Sequence, residues 1–290
     1  MADRLILKLE GRVVAELVSA TGGAADREVV ANPHDPSGVL RKSPGKLSYD
    51  PLILEIGGAT TKEVFQWIAD TWAHRGSKKS GFIIKINEHE QDAGHIEFTN
   101  ALLTEVTLPA FDAAQHQPAT MTLKLLPAST VRTMGTGTIL RIPSVPRKSW
   151  LRSTFRLNID GLDTAHTVRT DALTVAVAAL PAPDGSFNPG TISVTNLAVS
   201  FPEPSAPTYQ SWLQSFVIDG HNDPTQEKTA TLLMLSPDLR ETFLTFTLHN
   251  IGIFRLDTVP PEPPGPTGVN PSPMMKAEMY VNQPELAFPP

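Results

Sequence analysis

Two stretches of the chain gather residue types that could bind a metal. Glu88-His89-Glu90 with Asp92 and His95 places carboxylates and imidazoles close together, but without the rigid ligand spacing that a structural or catalytic zinc site uses. Asp92-Ala93-Gly94 instead reads as the turn of a solvated hairpin. Asp219-Gly220-His221-Asn222-Asp223 has calcium-like oxygen donors but lacks the full loop pattern and its closing Glu, so it reads as a helix end followed by a polar loop. Gly135-Thr136-Gly137-Thr138 has no Lys-Ser/Thr and no helix after it, which argues against a phosphate loop. No Gly-x-Ser-x-Gly elbow supports a hydrolytic triad. With no Cys there is no thiolate ligand, Cys nucleophile or disulfide framework. The expectation is no catalytic residue, no metal and no cofactor. Trp67 and Trp212 could form a carbohydrate platform, but a core or interface anchor is the simpler use of such a ring.

The elements that would carry these residues occur twice. Leu5-Ile6-Leu7-Lys8-Leu9-Glu10-Gly11 alternates as Phe155-Arg156-Leu157-Asn158-Ile159-Asp160-Gly161 does, at an offset of 155 − 5 = 150, with Ala15 and Val18 set against Ala165 and Val168. Leu52–Ile56 matches Leu197–Phe201 at an offset of 145. A helix follows in each: Val64, Phe65, Ile68 and Trp72, closing near Gly76, and Tyr209, Trp212, Leu213 and Phe216, closing at Gly220. Three strand pairs come next: Phe82–Ile86 with Ala230–Met234, Ile96–Asn100 with Phe246–Asn250, and Met121–Leu125 with Met275–Tyr280. After Asn100 and after Asn250 the apolar parity changes, which predicts a β-bulge at the same place in both copies.

Each unit therefore reads as strand, strand, long loop, strand, helix and three strands. The expected fold class is mainly β (α+β), two tandem sandwich or barrel domains each with one packed helix. The expected boundaries are 1–133 for copy one, a Gly/Pro linker over 134–149, and 150–290 for copy two with a Pro-rich loop at 257–273. Gly should make the first part of the linker flexible. The formal charge, 24 − 30 = −6, argues against a nucleic-acid surface as the main business. No signal peptide opens the chain and no run approaches the ~20 apolar residues of a membrane span, so no membrane partner is expected.

The order of these features resembles the tail tube family of phages and contractile injection systems, whose fold the hemolysin-coregulated protein of type VI secretion shares. The matching residues in copy one are the strand ending at Gly11, Pro44-Gly45, Gln66-Trp67-Ile68, Lys78-Lys79 before Phe82-Ile83-Ile84, and Phe98-Thr99-Asn100-Ala101 leading to Pro109-Ala110-Phe111-Asp112. Copy two keeps Phe155–Gly161, Ser211-Trp212-Leu213 and Leu248-His249-Asn250 and departs in its loops.

The resemblance implies a structural subunit forming rings that stack into a hollow tube, with a loop between the second and third strands reaching the neighbouring ring. That loop is about 21–46 in copy one and 181–190 in copy two, with Asn32, Pro33, Arg41, Lys42, Asp184 and Phe187 as inter-ring contacts. Alternation puts Lys85, Glu97, Thr99, Thr122 and Lys124, and Thr229, Thr231, Thr247, His249, Lys276 and Glu278, on the non-core face as lumen-lining candidates. Family members usually carry one domain and form six-membered rings. A duplicated chain could close a pseudo-six-fold ring as a trimer, which is favoured over a hexamer. Expected partners are the chain itself, sheath and baseplate or hub proteins, and DNA or protein cargo passing without specific binding. The expected location is a virion or injection particle assembled in the bacterial cytoplasm. The alternatives are a tube initiator, hub adaptor or terminator of the same machine and, from another class, a two-domain β-sandwich carbohydrate-binding module.

Overall fold

The computed structural model describes residues 3–32, 40–259 and 273–289. The first half runs β1 (Arg4–Leu9), β2 (Arg12–Gly22), β3 (Ala25–Asn32), β4 (Arg41–Tyr49), β5 (Leu52–Thr60), α1 (Lys62–Trp72), β6 (Lys79–Ile86), β7 (Asp92–Leu108), β8 (Phe111–Asp112), β9 (Met121–Leu126) and β10 (Ser129–Met134). The second half runs β11 (Phe155–Ile159), β12 (Arg169–Thr170), β13 (Leu173–Pro181), β14 (Phe187–Val194), β15 (Leu197–Pro202), α2 (Ala206–Leu213), β16 (Lys228–Leu235), β17 (Thr242–Val259) and β18 (Met274–Ala287). The protein is mainly β, as the alternation predicts.

Six strands of the first half close into a barrel, each antiparallel to the next: β1 with β2, β2 with β5, β5 with β9, β9 with β7, β7 with β6, and β6 back to β1. The β1–β2 hairpin turns on Glu10 (φ 46°) and Gly11 (φ 81°), the two left-handed residues that a tight primed turn requires. Alternating side chains such as Leu7, Leu17, Leu54, Leu123, Val106 and Phe98 fill the interior. The second half runs in a matching order, β11–β16–β17–β18–β15–β12, without the β11–β12 pairing that would close it.

The parity change has the expected cause. Between Lys79↔Ala101 and Gly81↔Phe98, β7 spends three residues against two of β6. Between Lys228↔Ile251 and Ala230↔Leu248, β17 does the same against β16. The extra residues include Asn100 (φ 46°) and Asn250 (φ 55°), and Asn tolerates that left-handed backbone better than a β-branched residue. Asn100→Gly should leave the urea midpoint nearly unchanged, whereas Asn100→Val should cost about 1–2 kcal/mol. Equal midpoints for the two variants would contradict the assigned strain.

The helix α1 buries Val64, Phe65, Trp67, Ile68, Thr71 and Trp72. Its left-handed terminal residue is His74 (φ 56°); the sequence expectation of Gly76 is off by two positions. Gly76 is needed for space instead, since a Cβ there would sit 2.6 Å from Thr71 Cα and Oγ1.

Three further expectations are corrected. The long loop after the second strand is a hairpin, β3–β4 in the first half and β13–β14 in the second. The linker is tied to the first half where flexibility is expected. Asp92 accepts from the Thr136 N–H (3.1 Å) and hydroxyl (3.0 Å), Leu140 N–H donates to the Glu90 carbonyl (2.8 Å), and Lys148 N–H donates to the Gly58 carbonyl (2.9 Å). A Cβ on Gly58 would lie 1.6 Å from the Lys148 carbonyl oxygen, so Gly58→Ala should release the returning segment. The readout is faster proteolysis after Arg147 or Lys148 in the variant; an unchanged cleavage rate would refute this clasp. Lastly, Asp257–Val259 belong to β17, while Pro260–Pro266 lie outside the described residues.

One hydrophobic core runs through both halves. From α1, Phe65 meets Trp150 (ring centroids 5.9 Å apart) and Phe288 (6.0 Å), and Trp72 meets Phe246 (6.4 Å). The helix of the first half is therefore packed on the sheet of the second.

Candidate functional site: a sheet shared by the two halves

The strand β7 is flanked twice. On one side, β9 and β10 follow each other, pairing with Leu102–Thr107 and Gly94–Thr99. On the other, β6 pairs up to Ala101, and beyond it the second half's β13 takes over: Leu173↔Leu108, Thr174↔Thr107, Val175↔Val106 and Ala176↔Glu105. With β14 paired to β13, a hairpin of the second half extends the sheet of the first. Leu173, Val175, Val106 and Leu108 are buried on one face of this junction. On the other face the Thr107 and Thr174 hydroxyls are hydrogen-bonded at 2.9 Å. Such strand addition combines main-chain bonds with side-chain pockets.

The hairpin tip is also held. Lys78 Nζ donates to Ser186 Oγ (2.6 Å) and Asn188 Oδ1 (3.3 Å). The Ser186 hydroxyl and backbone N–H both donate to Asp184, holding its carboxyl below the usual range.

Of the loop residues singled out from the sequence, Asp184 and Phe187 thus lie at the tip of a hairpin seated on the first half. Arg41 and Lys42 open β4 and are exposed, Asn32 ends β3 opposite Arg41, and Pro33 lies outside the described residues.

The lumen candidates divide into two groups. Glu97 and Thr99 face outward beside β6 and β10, with Thr99 bonded to Ser129 (2.6 Å). Thr247 and His249 occupy the same place in the second half, opposite Glu285 and Gln283, and His249 Nε2 lies 3.0 Å from Glu285 Oε2. Thr231 pairs with Thr247, and Thr229 lies on the same strand, β16. The second group, Thr122 and Lys124, lies past the bulge next to the junction, with Lys124 Nζ 3.7 Å from Glu105. Lys276 and Glu278 are its counterparts, with Lys276 Nζ on Asp171 at 2.8 Å. Lys85 departs from the alternation. It pairs with Leu5 on the face of Leu7 and Ile83, at the barrel mouth, in an ion pair with Asp3 (2.8 Å).

The residues that make the junction, Leu173, Val175, Lys78 and Trp72, are missing from the sequence-derived sites. The alternation of Leu173-Thr174-Val175-Ala176-Val177 is the signal that could have found the strand. Among the described residues no three His, Asp or Glu converge on a metal-sized site. Asp92 is occupied by the Gly94 and Thr136 backbone N–H groups, which lower its pKa. Trp67 and Trp212 are both buried, so neither offers the open face of a glycan platform. No helix among the described residues is long and apolar enough to cross a membrane.

Burial, then the Glu227 carboxylate that accepts its proton at 2.8 Å, push the Tyr280 phenol up to about 12. The fold thus favours neutral Tyr280. That stabilisation is full below the ordinary phenol pKa near 10 and is lost as pH rises from there to about 12. Thermal melts of wild type and Tyr280→Phe should converge over that interval; a constant gap would refute the coupling.

Residues 6–127 match the family described as T4-like virus tail tube protein gp19. The match lies within the first half of the chain. Three solved structures are similar in part. The anti-feeding prophage tube-terminating cap is 23% identical over 45% of this chain and 88% of its own, with a TM-score of 0.40. A PVC sheath–tube complex of an extracellular contractile injection system is 22% identical over 45% and 88%, with a TM-score of 0.40. Hcp1 from Flavobacterium johnsoniae is 18% identical over 46% and 95%, with a TM-score of 0.33. No curated protein matches.

Proposed function

We propose that the chain is a structural subunit of a phage tail or contractile injection machine, in which each chain supplies two tandem tail tube domains to one ring. Three chains then close a pseudo-six-fold ring that stacks into a hollow tube. The observation that carries this reading is pairing at constant offsets. The pairs Ser19↔Glu55 and Ala20↔Leu54 of the domain matching the tube family recur as Arg169↔Ser200 and Thr170↔Val199, each at offsets of 150 and 145.

The role is mechanical, not catalytic. Polar walls of mixed charge would let DNA or protein cargo pass without gripping it. Glu97, Thr99, Lys124, Thr247 and His249 remain the candidates for that wall, with Lys85 at its margin. Arg41 and Lys42, exposed at the start of β4, are the candidate contacts to the adjacent ring. Sheath and baseplate or hub proteins are the partners this role requires, and assembly would take place in the bacterial cytoplasm. Native mass spectrometry of the isolated ring should give three chains. Six chains would overturn the stoichiometry, and absence of hollow rings in negative-stain images would overturn the tube reading.

A further inference from the structure

We propose that a cavity at the seam between the two halves is a binding site for a small amphipathic anion, one flat apolar group carrying a single carboxylate or similar acid. The cavity lies within one chain, so its occupation does not depend on ring formation.

The cavity encloses about 300 Å³. That is near the lower end of small-ligand sites, which run from about 300 to 1,000 Å³, and it suits one ring system better than a length of chain. Its apolar walls come from four places: Phe65 on α1, Trp150 just after the linker, Phe243 near the start of β17 and Phe288 just past β18. Phe65, Trp150 and Phe243 are all buried. Phe65 meets both Trp150 and Phe288 at a tilt, the arrangement that aromatic rings prefer, so an inserted ring would find neighbours of the same kind. The segment that carries Lys148 passes directly against Gly58 and forms one rim of the opening.

The charged part of the lining has one sign. Lys62 and Lys148 line the cavity, and no Asp or Glu does. Lys148 Nζ stands 4.7 Å from the centroid of the Phe243 ring, a cation–π contact that keeps the ammonium beside the apolar wall. Neither lysine has a carboxylate at ion-pair distance among the described residues. Trp150 adds an indole N–H that is buried without a hydrogen-bond partner among the described residues, and such a donor is costly until an acceptor reaches it. Two ammonium groups repel a cation, and a neutral apolar molecule leaves them unanswered. An anion with an apolar body satisfies both the walls and the rim. Because the walls belong to both halves, a bound molecule would bridge α1 and the start of β17.

The probe is cinnamate, a flat aromatic group with one carboxylate, and cinnamyl alcohol is its neutral counterpart. In titration calorimetry of the full chain, cinnamate should saturate at one molecule per chain and bind about tenfold more tightly than the alcohol, since charge-assisted hydrogen bonds exceed neutral ones. Cinnamate should also raise the melting temperature as its concentration rises, because it binds only the folded seam. Lys148→Met and Lys62→Met keep an apolar stem, and each should weaken cinnamate by about tenfold while leaving the alcohol unchanged. Near-ultraviolet circular dichroism checks that the variants are folded. Should Lys148→Met fail to fold, Lys62→Met, at an exposed position in the first turn of α1, decides the matter. A chain that forms no ring should bind cinnamate all the same. Absence of saturable binding, equal affinity for acid and alcohol, or cinnamate binding that the lysine changes do not alter would each overturn the proposal.

Discussion

Expressed separately as 1–149 and 150–290, the two halves should fail to reach a native state alone and should recover it when produced together. The first half loses the cover of β13 over Val106 and Leu108 and of Phe288 and Phe246 over α1. The second loses the strand on which Leu173 and Val175 are buried, as well as the β8 partner of β12. Four aliphatic side chains at about 1.5–3 kcal/mol each amount to roughly 6–12 kcal/mol before the aromatic contacts are counted. That is comparable to the ~5–15 kcal/mol total stability of an ordinary domain. Soluble yield, near-ultraviolet circular dichroism and binding of an apolar dye check this. A half that melts cooperatively at the full chain's temperature would refute it.

Replacing Phe246 by Ala should be the most damaging single change. Its ring is fully buried and meets Trp72 across the two halves, so truncation opens a cavity at the seam of the core. The expected cost is about 3–5 kcal/mol, on the scale of buried Phe→Ala changes. At roughly 2–4 °C per kcal/mol for a chain of this order, the melting temperature should fall by ~10 °C. Thr247→Ala, the next residue but on the outer face, should stay within about 0.5 kcal/mol. Similar losses for the two would mean that the faces of β17 are wrongly assigned.

The strands that pack on a core were legible because alternation reports burial directly. Leu5–Leu9, Phe82–Ile86 and Ile96–Asn100 all fall within observed strands, and the parity change correctly marks both Asn bulges. The helix was legible from Val64, Phe65, Ile68 and Trp72. The hairpin β3–β4 was not, because Ala25–Asn32 and Arg41–Tyr49 are mostly exposed and carry Pro44 and Gly45, so burial imposes no period on them. Setting Ala165 and Val168 against strand residues Ala15 and Val18 likewise misleads. There the second half makes a turn, closed by Thr167 N–H on the Thr164 carbonyl, and its β2 counterpart shrinks to Arg169–Thr170. For the wall candidates, alternation tells inside from outside of a strand. It cannot tell which of two outer faces, before or after the bulge, is the one that meets a channel.

The docked linker gives the internal junction a property that no contact between separate chains can have. Tethering by 134–149 makes pairing of β13 with β7 a unimolecular event, with an effective concentration of order millimolar for a short connection. Dilution therefore leaves this seam closed while it empties any seam between chains. A population of subunits far below its assembly concentration would still consist of pre-paired halves, so in the proposed three-chain ring half of the joints would be set before the first encounter.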